Sequence, residues 1–112
     1  MLNLHITSPV VIADGDDVLV FREVSEAESS IEPLDVVDSD LRAWDCDGQP
    51  LALGIGPDSR VVLSPCRSAG AATEDLRSVL VSVLRQHADR DLSTSSLPEA
   101  LAAYISWAGY SR

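Results

Sequence analysis

Leu41-Arg42-Ala43-Trp44-Asp45-Cys46-Asp47-Gly48-Gln49-Pro50-Leu51-Ala52-Leu53-Gly54-Ile55 carries the clearest local signal in the chain. Leu41 to Cys46 and Leu51 to Ile55 flank the turn residues Asp45-Cys46-Asp47-Gly48, the arrangement of a β-hairpin. Two registers are open. If Asp47-Gly48 is a two-residue turn, Trp44 lies opposite Leu51 and shares a face with Leu53 and Ile55. If Cys46-Asp47-Gly48 is a three-residue loop, Ala43 lies opposite Leu51 and Trp44 points the other way, beside Arg42. A one-residue slip sends every side chain to the opposite face. Turn chemistry favours the three-residue loop, because Asp45 can bond the turn backbone and Gly48 can supply the left-handed residue. That register predicts Trp44 on the sheet face opposite a core of Leu41, Leu51, Leu53 and Ile55.

Outward from the hairpin, Arg60 to Ser64 reads as a further strand after the Gly56-Pro57-Asp58 turn, completing an antiparallel meander. Upstream, Leu2 to Ile6 alternates as a short strand. Asp17 to Arg22 (DVLVFR) has apolar residues on both faces, which predicts an interior strand, after the turn cluster Asp14-Gly15-Asp16-Asp17. Ser25 with Glu28 three residues on is a capping box, so a short helix is predicted from Ser25, ended by Pro33.

Downstream, Cys66 to Ala72 reads as a loop. Thr73-Glu74-Asp75 caps the longest helix, whose Leu76, Val79, Leu80, Val83 and Leu84 form one apolar stripe. That stripe is expected to pack on Val20, Leu51, Leu53 and Ile55. Ser96-Leu97-Pro98-Glu99 is a second capping box, opening a helix that Gly109 ends. Residues 1–112 thus predict a single α+β domain. Its architecture is an antiparallel β-meander sheet of about four to five strands, with a short helix after an early strand and two C-terminal helices packed on one face.

The composition narrows function. The chain of 112 residues is 46% hydrophobic, enough for one core, and its net charge is −10 from 18 acidic and 8 basic residues. Every basic residue is an arginine, and the Ala-, Asp- and Arg-rich composition suggests a bacterial source. A chain this negative repels phosphates and anionic lipid, so nucleic acid and membrane surfaces are poor partners and a basic protein is the natural complement. No apolar stretch approaches the roughly 18 residues of a membrane span, and Met1 to Ile12 lacks the pattern of a secretory signal. Cys46 and Cys66 lack CxxC spacing and are read as free thiols in a reducing cytoplasm, with a disulfide as the lesser alternative.

No motif identifies a catalytic site. Asp14-Gly15-Asp16-Asp17 and Asp45-Cys46-Asp47-Gly48 faintly resemble calcium loops, but neither has the third ligand or the closing glutamate; turn chemistry accounts for both. His5 sits on a terminal strand, and His87 at a helix end, where positive charge is simply stabilising. Arg67 beside Cys66 would favour a thiolate, although cysteine commonly serves as a small buried hydrophobe. Gly54-Ile55-Gly56-Pro57 is no phosphate loop, since no lysine follows. The expectation is therefore a non-enzymatic protein without cofactor or metal.

Val20-Phe21-Arg22-Glu23, the Ser25-Glu26-Ala27-Glu28 helix, Ile31-Glu32-Pro33-Leu34-Asp35-Val36, and Ala43-Trp44-Asp45 before Gly48 and Leu51 together resemble a group of small acidic actinobacterial proteins of unknown function. Some such proteins are suspected of being immunity proteins that neutralise a secreted toxin, and the resemblance implies a binding function of that kind. It brings no catalytic residue or ligand site. With the charge, it makes an immunity- or antitoxin-type protein facing a basic partner the leading expectation. The alternative is an accessory or regulatory subunit acting through homo- or hetero-oligomerisation, a homodimer included. The expected recognition surface is Asp35, Asp38, Asp40 and Asp45 around Trp44, an apolar anchor within a charged rim. The competing expectation buries Trp44 in the core and leaves the acids as solvated turn residues.

Overall fold

The hairpin closes in the three-residue register. Ala43 lies opposite Leu51 and Trp44 opposite Pro50, the Asp45 N–H donates to the Gln49 carbonyl at 3.0 Å, and Gly48 takes φ 83°, a left-handed conformation that suits glycine. This is seen in a computed structural model that describes residues 6–14, 17–38, 41–65, 73–92 and 94–110, apart from the side chains of Val37, Asp38 and Thr73. The strand expected over residues 2–6 lies, apart from Ile6, outside the described residues.

The elements in chain order are β1 (Val10–Asp14), β2 (Asp17–Phe21), α1 (Val24–Ser30), α2 (Pro33–Asp38), β3 (Leu41–Trp44), β4 (Pro50–Ile55), β5 (Val61–Pro65), α3 (Thr73–His87) and α4 (Leu97–Ala108). The strands form one antiparallel sheet in the order β2-β1-β3-β4-β5. The last three strands are a meander, as expected. The first two form a hairpin with Asp14 opposite Asp17, and the chain then passes through α1 and α2 to place β3 on the far side of β1.

β1 is the strand that alternation does not reveal. Val10, Val11, Ile12 and Ala13 form an unbroken apolar run and all are at most 1% exposed, because β1 lies between β2 and β3 with helices over both faces. β2 corrects the expectation of an interior strand: it is an edge of the sheet. One of its apolar faces is covered along its length, while on the other Phe21 is buried and Leu19 is left 37% exposed. Val18 and Val20 pack under α3 and α4, while Phe21 packs with Ala27 and Ile31 of the α1 layer.

Two separate cores follow from strand alternation. Val11, Ala13, Val18, Val20 and Trp44 meet Leu76, Leu80, Leu84, Leu101 and Tyr104 on one face. Val10, Ile12, Phe21, Ala43, Leu51 and Leu63 meet α1 on the other. The α3 stripe therefore packs on Val20 as expected, but not on Leu51, Leu53 or Ile55. The hairpin register sends Leu51 and Leu53 to the opposite core, and Ile55 is 45% exposed.

The helix ends show local chemistry succeeding and failing. α4 begins at Ser96 with both bonds of the capping box formed, and ends at Gly109 (φ 77°). α1 instead begins after Glu23 with no side-chain cap. The box expected from Ser25 is not used; the Glu28 carboxylate accepts the Leu63 N–H of β5 at 2.8 Å. Pro33 does more than end α1. It opens α2, since its fixed φ and missing N–H suit a first helical residue.

Candidate recognition surface

The hairpin tip is held together by one carboxylate. Asp45 Oδ1 accepts the N–H groups of Asp47 and Gln49, each at 3.0 Å, and Oδ2 accepts that of Thr7 at 3.2 Å. Cys46 N–H returns a bond to the Thr7 carbonyl at 3.0 Å. Asp45 is 2% exposed, and its lone pairs serve the backbone. A buried carboxylate is tolerable because it is hydrogen-bonded in this way.

Trp44 is likewise no open anchor. It is 4% exposed, packed in the core under α3 and α4, with the Arg42 guanidinium 5.2 Å from its ring centre. This corrects the expected recognition surface. The face assigned to Trp44 is right, but α3 and α4 make that face a second core. Of the four acids grouped with it, Asp45 is buried and Asp35 is exposed on α2. Asp38 ends α2 with its side chain outside the described residues, and Asp40 lies outside them altogether.

The cysteine and metal candidates are equally local. Burial pushes the Cys46 thiol above its usual pKa, and the Asp47 and Asp45 carboxylates push it the same way, the reverse of an activated nucleophile. Cys66, Arg67 and His5 lie outside the described residues. His87 is exposed in the last turn of α3. Among the described residues, no three His, Cys, Asp or Glu side chains gather as metal ligands; Gly15 and Asp16 of the first acidic turn are not among them.

The surface that the fold does assemble is the α1–α2 layer. Residues 23–38 contain Glu23, Glu26, Glu28, Glu32, Asp35 and Asp38 and no basic residue. Glu23, Glu32 and Asp35 are exposed, and Leu34 among them is 65% exposed. The ion pairs of the described residues lie elsewhere: Arg60–Asp58 at 3.5 Å, Arg77–Glu74 at 2.9 Å and Arg85–Asp91 at 3.4 Å. The opposite layer mixes the two signs, with Arg77 and Arg85 beside Glu74 and Asp75 on α3 and Glu99 on α4. The acidic run was visible in the sequence. The helix that Pro33 opens, presenting Leu34 and Asp35, is a feature of the structure alone.

Two open grooves flank α1. One, of about 480 Å³, is lined by Ser25, Glu28, Ser29 and Arg60 among others. The other, of about 530 Å³, is lined by Arg22, Ser25, Glu26, Ser29 and Ser30. A serine becomes a nucleophile through an adjacent base, and Glu28 already accepts a backbone N–H. The grooves offer hydroxyls and charge for polar contacts.

Fold and surface together define an α+β protein with an open antiparallel sheet between two helix layers, one of them uniformly acidic. Comparison with protein families, with functionally characterised proteins and with solved structures finds no match to this chain.

Proposed function

We propose that the chain is a non-enzymatic binding protein of the immunity or antitoxin type, which neutralises a basic protein by covering it with the α1–α2 layer. One observation carries this reading: Glu23, Glu26, Glu32 and Asp35 belong to one helix layer with no basic residue between them in the chain, and Leu34 beside Asp35 is exposed. Such a surface steers a positive partner during encounter, and an exposed apolar residue on it adds contact area once docked. The test is affinity capture from the native host. The wild-type chain and a Glu23→Gln, Glu26→Gln, Glu32→Gln, Asp35→Asn variant serve as baits. Retention of one basic protein by the wild type, released by salt and lost with the variant, supports the reading. Equal retention by both baits would count against it.

A second reading, an accessory subunit acting through oligomerisation, is favoured by a different feature. On β4 and β5, the face continuing from Trp44 has exposed Ala52, Gly54 and Ser64 beside Val62, which is 43% exposed. These residues are uncharged and small, so a second copy or another subunit can approach closely there. Sedimentation of the wild type and Val62→Arg across a concentration range separates this reading from the first.

A further inference from the structure

We infer that the outer face of α3 is a self-association surface, on which a second copy of the chain packs its own α3 antiparallel about a two-fold axis. This goes beyond both readings above, since it uses neither the α1–α2 layer nor the β4–β5 face. Leu76, Leu80 and Leu84 turn to the core. Glu74, Asp75, Ser78, Ser82, Arg85 and Gln86 are exposed and share the outer face at helical spacing. Acids begin this face, an arginine stands near its end, and its middle is uncharged. The helix dipole accounts for the two ends but not for the middle. Exposed mid-helix positions are better served by long charged side chains, which have higher helix propensity than serine.

Two-fold symmetry gives the pattern a use. An antiparallel helix centred at the level of Leu80 sets Ser78 opposite the partner's Ser82 and Asp75 opposite the partner's Arg85, each twice. A parallel arrangement would set Asp75 against itself. Asp75 has no ion-pair partner among the described residues, whereas Glu74 takes the Arg77 guanidinium at 2.9 Å and accepts the Ser78 hydroxyl at 3.3 Å. Arg85 meets Asp91 at 3.4 Å, with the side chains 62% and 71% exposed. Such a surface contact is weak and leaves guanidinium donors for a second carboxylate. Grooves of about 280 Å³ run on either side of the Ser78–Ser82–Gln86 row, one lined by Arg77, Val81 and Arg85 and the other by Arg42, Val79 and Val83, among others. A row between two grooves is the relief by which helices interlock. The net charge of −10 opposes self-association wherever acids are unmatched. The acids of α1 and α2 lie across the sheet, on the side of the other core, and this dimer turns both acidic layers outward.

Sedimentation of the full chain across a concentration range tests this, at low salt and at about 1 M, where screening acts within about 3 Å. The expected result is a monomer–dimer equilibrium that salt weakens. Asp75→Arg and Arg85→Asp should each weaken it at least about tenfold, because two attractions become two repulsions. An equimolar mixture of these two variants should dimerise again, since each chain then meets the opposite sign at both ends. Ser82→Arg leaves the helix ends as they are and should also prevent the dimer, which guards against a charge reversal that fails to fold. A chain that stays monomeric at every concentration would overturn the inference, as would a dimer that both reversals retain or a mixture that sediments as monomer. A dimer kept by Ser82→Arg but lost with Val62→Arg would overturn it too and assign the contact to the β4–β5 face.

Discussion

The hydroxyl of Tyr104 in α4 donates to the carbonyl of Val18 in the edge strand β2, joining residues 86 positions apart. Here a helix side chain takes up a backbone group on an outer strand, as does Glu28 of α1 on the Leu63 N–H of β5. Unpaired edge groups invite another strand, and such contacts restrain it.

Tyr104→Phe should therefore cost about 1–2 kcal/mol, because a buried carbonyl loses its donor. Burial, with the Asp17 carboxylate, raises the phenol above its usual pKa of 10.0. Folding thus favours the neutral phenol. Its contribution is fully present below the unfolded value and is lost as pH rises through the folded one. Chemical denaturation at neutral pH and above pH 10 should show the gap between wild type and variant narrowing at the higher pH; a gap that stays constant would refute the assignment.

Glu28→Ala should free the Leu63 N–H and lower stability by about 1–3 kcal/mol. The larger consequence is expected in light scattering, with faster aggregation on warming than for Glu32→Ala, which removes an exposed acid from the same layer.

Asp45→Ala should be among the most damaging single changes outside the apolar cores. Three backbone N–H groups lose their acceptor, at a cost of about 2–4 kcal/mol. Asp45→Asn keeps an oxygen for two of them and should cost less. Urea unfolding of the two variants orders them; equal midpoints would show that the carboxylate does not organise the turn.

The two tryptophans should separate cleanly. Trp44→Ala should cost about 3–5 kcal/mol, as for other large-to-small changes in a core, and Trp107→Ala, at a position 45% exposed, no more than about 0.5 kcal/mol. Acrylamide quenching of Trp44→Phe and Trp107→Phe should find the remaining indole accessible in the first and shielded in the second.

What the sequence determined by itself lies within a few residues of each signal. Asp45 and Gly48 set the hairpin register because the turn's hydrogen bonds and its left-handed residue are local. Ser96, Glu99 and Gly109 bound α4 for the same reason, and the spacing of Leu76, Leu80 and Leu84 gave α3 its buried stripe. Tertiary structure decided everything that required knowing what lies across the sheet. It covered the Trp44 face with α3 and α4, turning a candidate anchor into core. It made β1 an interior strand and β2 an edge, positions that two runs of apolar residues do not distinguish. It drew Glu28 from its own helix to Leu63, 35 positions away. It also set Arg22 on Tyr110, a pairing that no spacing announces. A side chain's exposure depends on which distant element packs over it, and local chemistry carries no record of that.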